Sequence, residues 1–285
     1  MDARYEAKYA AQKRAAHIAF LVVVILLAAV YIYPVFLMVD NSLKPFKEIL
    51  TNVLALPSHL EWANYTYVIE KMEYFRLFWN NVVITVIGIA GIVAFSSMAA
   101  YILDRRQTPV TKALHTFIIT PMLIPFQTIM ITLLKFMNII HLNGTTWGLG
   151  IQYWGFGIPM ATFIYFNFMK SIPTEIDESA MIDSATTFQT YLLIIFPLLK
   201  TVTATVVVLD VMWIWNDFLL PLLMVNSSPA SKTLVLAAYN FVGSLNTKWH
   251  YALAAMVLAI LPSVIVFVFL QRYIVDGVVA GAIKG

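Results

Sequence analysis

The chain has 285 residues, 61% of them hydrophobic and only 12% charged, with a mean hydropathy of +0.81 and a formal charge of +3. That composition excludes a water-soluble globular domain, marks an all-α polytopic membrane protein and leaves no expectation of a nucleic-acid partner. Zero cysteines exclude disulfides, thiol catalysis and cysteine-ligated zinc. From the N-terminus, residues 1–16 alternate alanine with Arg4, Glu6, Lys8, Lys13 and Arg14 and read as a short basic segment on the cytoplasmic face. Residues 17–285 read as the membrane domain. Apolar runs of the length that crosses the hydrocarbon core fall at about residues 17–39, 81–103, 114–136, 151–168, 192–213 and 251–274. The first is too long for a signal-peptide core and lacks a clear small-residue cleavage site, so it is read as retained.

Six spans place both ends on one side, and the basic residues choose the side. With the N-terminus inside, the inner segments hold eleven basic residues, among them Arg105, Arg106 and Lys112, and the outer segments hold seven. The connection at 137–150 has none. N-terminus and C-terminus are therefore expected in the cytoplasm. The outer stretch 40–80 is long and mixed in charge, suited to a small ordered cap. A second outer loop, 226–250, carries Tyr239, Asn240 and Trp249 beside the small Gly243 and Ser244. It suits either insertion into a concave partner or a loop resting in the aromatic belt of the membrane.

Between the fourth and fifth spans lies an acidic island, Pro-Thr-Glu-Ile-Asp-Glu-Ser-Ala-Met-Ile-Asp-Ser-Ala from Pro173 to Ala185, followed by Tyr191 and Phe196-Pro197-Leu198-Leu199-Lys200-Thr201. The topology makes it cytoplasmic. The spacing predicts a helix over about 174–190. Thr174 is its N-cap, Asp177 completes a variant capping box, and Glu175, Asp177 and Glu178 sit in a first turn that favours carboxylates. Met181, Ala185 and Phe188 would share one face, and Glu175, Ser179 and Asp183 another. Glu178 borders the apolar face, in reach of a partner's cation. The alternative, an amphipathic helix lying on the membrane, fits poorly with so many acids near an anionic surface.

Around the outer end of the fifth span stand Asp210, Trp213, Trp215, Asn216, Asp217 and Phe218. A carboxylate at mid-bilayer costs roughly 2.5–3.5 kcal/mol on insertion scales, so Asp210 is expected to face protein or a watery path. Trp213 and Trp215 read either as belt or packing residues or as a platform for sugar rings, with Asn216 or Asp217 holding hydroxyls. No Gly-x4-Gly-Lys-Ser/Thr phosphate loop, nucleophile elbow or zinc-binding His-Glu-x-x-His helix occurs, and the five histidines lack metal-ligand spacing. No catalytic or metal-binding residues are assigned.

The acidic island resembles the coupling-helix signature of ABC importer permeases: Glu-Ala-Ala, two residues, Asp-Gly-Ala, and later Leu-Pro-Leu. Glu178, Ala180, Asp183, Ala185, Pro197 and Leu198 match it, while Ser179, Ser184, Tyr191, Phe196 and Thr201 depart from it. The loss of the glycine at Ser184 removes a bare backbone that would let an ATPase approach closely. Trp215-Asn216-Asp217-Phe218 followed by Leu-Leu-Pro-Leu, and the tail from Leu270 to Gly285 with Gly277, Gly281 and Lys284, resemble the carbohydrate, maltose/oligosaccharide branch. The resemblance implies a type I importer permease fold in a bacterial plasma membrane. It implies four partners: a second permease, a dimer of cytoplasmic ATPases holding ATP and Mg²⁺, an extracytoplasmic solute-binding protein and a sugar. It places ATPase coupling at Glu178, Ala180, Met181, Asp183, Ser184 and Ala185. The sugar path would involve Asp210, Trp215, Asn216 and Asp217, and binding-protein contact Tyr239, Asn240 and Gly243. A secondary transporter driven by ions through Asp210 is the alternative, and discontinuous helices would support it; none is legible in the sequence. A non-transporting membrane subunit would leave the acidic helix unexplained.

Overall fold

A computed structural model describes residues 3–242 and 247–282, and among them every regular element is helical. In chain order these are α1 (Ala3–Ser42), α2 (Phe46–Thr51), α3 (Ala63–Met72), α4 (Tyr74–Arg105), α5 (Pro109–Ile119), α6 (Phe126–Ile139), α7 (Thr146–Met169), α8 (Glu175–Ile182), α9 (Thr187–Thr190), α10 (Phe196–Leu198), α11 (Lys200–Asn216), α12 (Leu219–Val225), α13 (Leu234–Tyr239) and α14 (Trp249–Ala282). The chain divides into two compact units, Met1–Val68 with Phe241–Val257, and Ile69–Asn240 with Leu258–Gly285.

In the first unit, α1 is apolar on all sides over about residues 17–39. None of its best membrane-spanning window is buried, and Phe20, Ile25, Leu26 and Tyr31 stand exposed, as a lipid-facing helix requires. Its C-terminal end is the opposite in character. Lys44 Nζ lies 2.6 Å from Asp40 Oδ2, with the two side chains 1% and 4% exposed, and also donates to Asn41 Oδ1 at 3.0 Å. Asn64 donates to the carbonyls of Ser42 and Lys44, and the Ser42 and Tyr65 hydroxyls are 2.6 Å apart. Burial raises the Tyr65 phenol above its usual range, although the Ser42 bond pulls the other way. The ordered cap expected at 40–80 is thus tied down by a buried polar network.

The second unit is built on the pair α4 and α7. Glycines let the two helices approach closely, the usual device where lipid offers no hydrophobic drive between helices. A Cβ at Gly157 would overlap Ile92, and one at Gly91 would overlap the Trp154 indole. That indole donates Nε1–H to the Ile87 carbonyl at 2.8 Å. Ile84, Ile92, Leu149, Tyr153, Tyr165, Ile195, Leu199 and Met224 fill the core around the pair.

Among the described residues, three helical stretches can cross a membrane by length and composition, Lys13–Ser42, Tyr74–Arg105 and Trp249–Gln271. Two bent pairs bring the number to five if each is one span: Pro109–Leu123 with Phe126–Ile139, at 103°, and Thr187–Leu198 with Lys200–Asn216, at 76°. The expected run 151–168 falls on α7, the interior helix, which spends Gln152, Tyr153 and Tyr165 on protein neighbours. The continuous runs expected at 114–136 and 192–213 are corrected to broken helices, and proline is the cause. Pro121 and Pro125 remove two donors, and Ile124 ahead of Pro125 is pushed to extended backbone. At the second break Pro197 lacks an N–H to donate, residues Tyr191–Ile195 widen into a π turn ahead of it, and the chain bends at Leu199 just beyond.

Candidate functional site

The acidic island folds as two short helices rather than one helix over 174–190. Thr174 has helical backbone and no side-chain cap, and Asp177 makes no capping box with it. The capping box forms instead at Thr186 and Gln189, starting α9. Between the helices the chain turns at Ser184, whose φ is +61°. The Ser184 amide donates to Met181 O and the Ala185 amide to Ala180 O, the two bonds of a Schellman stop. This adds a backbone reason for glycine at that position. The position is left-handed, where an L-residue is strained and glycine is not. Because the helix stops there, Ala185 and Phe188 do not share its apolar face with Met181.

What α8 and α9 present outward is apolar: Met181, Ile182 and Phe188 are 62%, 84% and 60% exposed. Glu178 and Asp183 are exposed beside them, and Ala180 is buried as the packing contact. Ile182 was not expected in this surface. A cleft of about 400 Å³ opens behind α8, lined by Arg105, Arg106, Thr174, Glu178, Met181 and Thr187 among others. Asp177 turns inward. Its Oδ1 accepts from the Tyr101 hydroxyl at 2.6 Å and its Oδ2 from Arg105 Nε at 2.8 Å. Arg105 also meets Asp104 Oδ2 at 2.6 Å and donates to Ile172 O at 3.0 Å. Farther up α4, the Ser97 and Tyr191 hydroxyls lie 2.7 Å apart. Sequence reasoning counted Arg105 only as a topological charge. The signal available was the i, i+4, i+8 spacing of Ser97, Tyr101 and Arg105, which puts them on one stripe.

At the other end of the second unit, Trp215 is 5% exposed. It donates Nε1–H to Ala259 O at 3.2 Å and sets its ring edge-on to Phe78. Of the readings weighed at Trp215, the buried indole fits packing rather than an open platform: it is an interhelical clamp. Asn216 accepts from the Ser263 hydroxyl at 3.1 Å, joining α11 to α14. Asp217 takes the Tyr153 hydroxyl at 2.9 Å and the Leu219 amide at 3.1 Å, fixing the start of α12. Trp213, not Trp215, is the half-open indole: it is 40% exposed and, with Gln127, Phe126, Phe156 and Asp217, lines a cavity of about 200 Å³. Asp210 is partly buried in α11 with its Oδ2 unpartnered.

In the loop 226–250, the Asn80 side chain donates to Ala230 O and Lys232 O, and Asn81 accepts from the Leu234 amide. The base of that loop is thereby fixed to α4. Tyr239 leans on Phe218 with ring centres 4.8 Å apart and stays 49% exposed, with Asn240 exposed beside it. Gly243 and the tail residues Ile283, Lys284 and Gly285 lie outside the described residues.

Comparison with known proteins places the chain in one family. The family model for the binding-protein-dependent transport system inner membrane component matches residues 92–279. The probable starch degradation products transport system permease AmyC of Thermoanaerobacterium thermosulfurigenes is 39% identical over 91% of this chain and 94% of its own. The multiple sugar-binding transport system permease MsmG of Streptococcus mutans is 34% identical over 88% and 91%. The melibiose/raffinose/stachyose import permease MelC of Bacillus subtilis is 31% identical over 95% and 100%. In fold, the chain matches a subunit from the crystal structure of a bacterial ABC transporter for the acidic polysaccharide alginate. The TM-score is 0.80, with 92% of this chain and 97% of that one covered at 20% identity.

Proposed function

The chain belongs to the family of binding-protein-dependent transport system inner membrane components, and from that membership we propose that it is one of two transmembrane subunits of an ATP-driven oligosaccharide importer. The substrate class follows the relatives, whose names speak of starch degradation products, multiple sugars and melibiose, raffinose and stachyose. Family membership, not the presence of broken helices, decides between this reading and an ion-driven carrier. The observation that carries the coupling role is the α8–α9 surface: three large apolar side chains and the carboxylates of Glu175, Glu178 and Asp183 exposed on and beside short helices of a chain without a phosphate loop. Such a surface fits a docking partner, and a cytoplasmic ATPase dimer holding ATP and Mg²⁺ supplies the energy this chain lacks.

Closure of the ATPases on ATP displaces α8 and α9, and the spans attached to them switch the path from inward-facing to outward-facing. N-terminus and C-terminus lie in the cytoplasm and α7 completes six spans. Asp210, Asp217 and Trp213 border the route of the sugar, and Tyr239 and Asn240 stand at the outer loop that meets the binding protein. The test is co-purification in mild detergent with the cytoplasmic ATPase. The chain alone hydrolyses no ATP, whereas the complex does. Losing the Glu178 carboxylate removes a charge-assisted contact of about 1.5–3 kcal/mol, so Glu178→Ala weakens ATPase retention roughly 10- to 150-fold with insertion intact. Undiminished retention in Glu178→Ala refutes the docking role, and turnover by the lone chain refutes the division of labour.

A further inference from the structure

The backbone of α8 is not extensively packed against α4. Of its eight residues only Asp177 and Ala180 are buried. What fastens it is polar. The Asp177 carboxylate holds Arg105 Nε and the Tyr101 hydroxyl, and the same guanidinium reaches Asp104 and the Ile172 carbonyl just ahead of α8. The charged side chains here are about nine-tenths buried, at 10% exposure for Arg105 and Asp104 and 8% for Asp177. A bidentate-capable guanidinium fixes direction as well as distance, which an apolar contact does not. Eight residues up the same stripe of α4, the Ser97–Tyr191 hydroxyl pair ties down the π turn. The coupling segment is therefore pinned to α4 at both ends, with the Tyr101 and Tyr191 rings 5.6 Å apart between the pins.

We propose that Arg105 is a positioning residue for energy coupling: through Asp177 it makes α8 and the cytoplasmic end of α4 move as one body, so that displacement of α8 enters the membrane along α4. The proposal rests on the reading of α8 as the ATPase-docking helix and assigns that reading's path into the bilayer. α4 is also the helix that carries α7 through Gly91, Gly150 and Gly157 and holds the outer loop through Asn80 and Asn81. Motion of its cytoplasmic end is thereby communicated to the core pair and to the loop at the opposite end.

The chain has no cysteine, so spin labels at Met98 on α4 and Ser179 on α8 need no background removal. The label-to-label distance is measured by pulsed electron resonance in the complex with its ATPase, nucleotide-free and trapped with ATP, Mg²⁺ and vanadate. The expected result is one sharp distance, the same in both states. Arg105→Ala is expected to give a broadened distance that shifts on trapping. Tyr101→Phe, which removes one donor, is expected to give a smaller change of the same kind. The exchange Arg105→Asp with Asp177→Arg is expected to restore the sharp distance, a rescue that a generic packing role does not predict. A distance in the native chain that changes on trapping, or one in Arg105→Ala and Tyr101→Phe that stays sharp and constant, overturns the proposal. Undiminished ATPase retention in Glu178→Ala refutes the docking reading instead, so the two failures are separate.

Discussion

Replacing Gly91 by alanine tests the α4–α7 interface, and Gly155→Ala on the facing helix is its internal control. A methyl group at Gly91 overlaps the Trp154 indole, which also meets Phe95 edge-on at 5.4 Å between ring centres. Overpacking of this kind costs about 1–3 kcal/mol. Displacing the indole breaks the Trp154 Nε1–H bond to Ile87 O, about 1 kcal/mol more. Alanine's better helix propensity returns about 0.5–1 kcal/mol, so the net loss is about 1–3 kcal/mol. At Gly155 no atom lies within 4 Å of an added Cβ. Only the propensity acts there, and Gly155→Ala gains about 0.5–1 kcal/mol. For a chain of this size each kcal/mol moves a melting temperature by about 2–4 °C, so the two variants separate by roughly 5–15 °C. The assay is the monomer fraction surviving heating of the detergent-solubilised chain, read by size exclusion. Gly91→Ala melting at or above the native chain, or Gly155→Ala falling as far as Gly91→Ala, refutes the close-approach argument. Adding Trp154→Ala to Gly91→Ala is expected to recover part of the loss, because the two changes share one contact.

Ser184→Gly relieves a left-handed residue worth about 1–2 kcal/mol, less about 0.5–1 for glycine's chain entropy. Amide exchange at residues 183–186 is therefore expected to slow severalfold, while Ser184→Val accelerates it; the opposite order contradicts the Schellman assignment. Lys44→Met leaves Asp40 buried without its cation, a loss of about 3–5 kcal/mol. Asp40→Leu with Lys44→Met is expected to melt well above the single variant in the same heating assay, and a double variant as unstable as the single one counts against a buried pair.

Much of this protein is written locally. Apolar runs of membrane length, the acidic helix between them and the missing phosphate loop follow from short stretches of sequence, since hydropathy and capping act over one or a few turns. The breaks at Pro121, Pro125 and Pro197 were also written locally, but run length alone reads straight through a proline. Other features required the fold. Trp215 and Trp213 are two residues apart with the same composition around them, and only their neighbours decide that one clamps α14 while the other opens to a cavity. Asp177 looks like one more first-turn acid of α8. Its burial depends on Tyr101 and Arg105, 76 and 72 residues earlier in the chain. A carboxylate beside a helix start is satisfied equally well by water, by a cap or by a distant guanidinium. Which of these it meets is a property of packing between elements, and no local pattern encodes it.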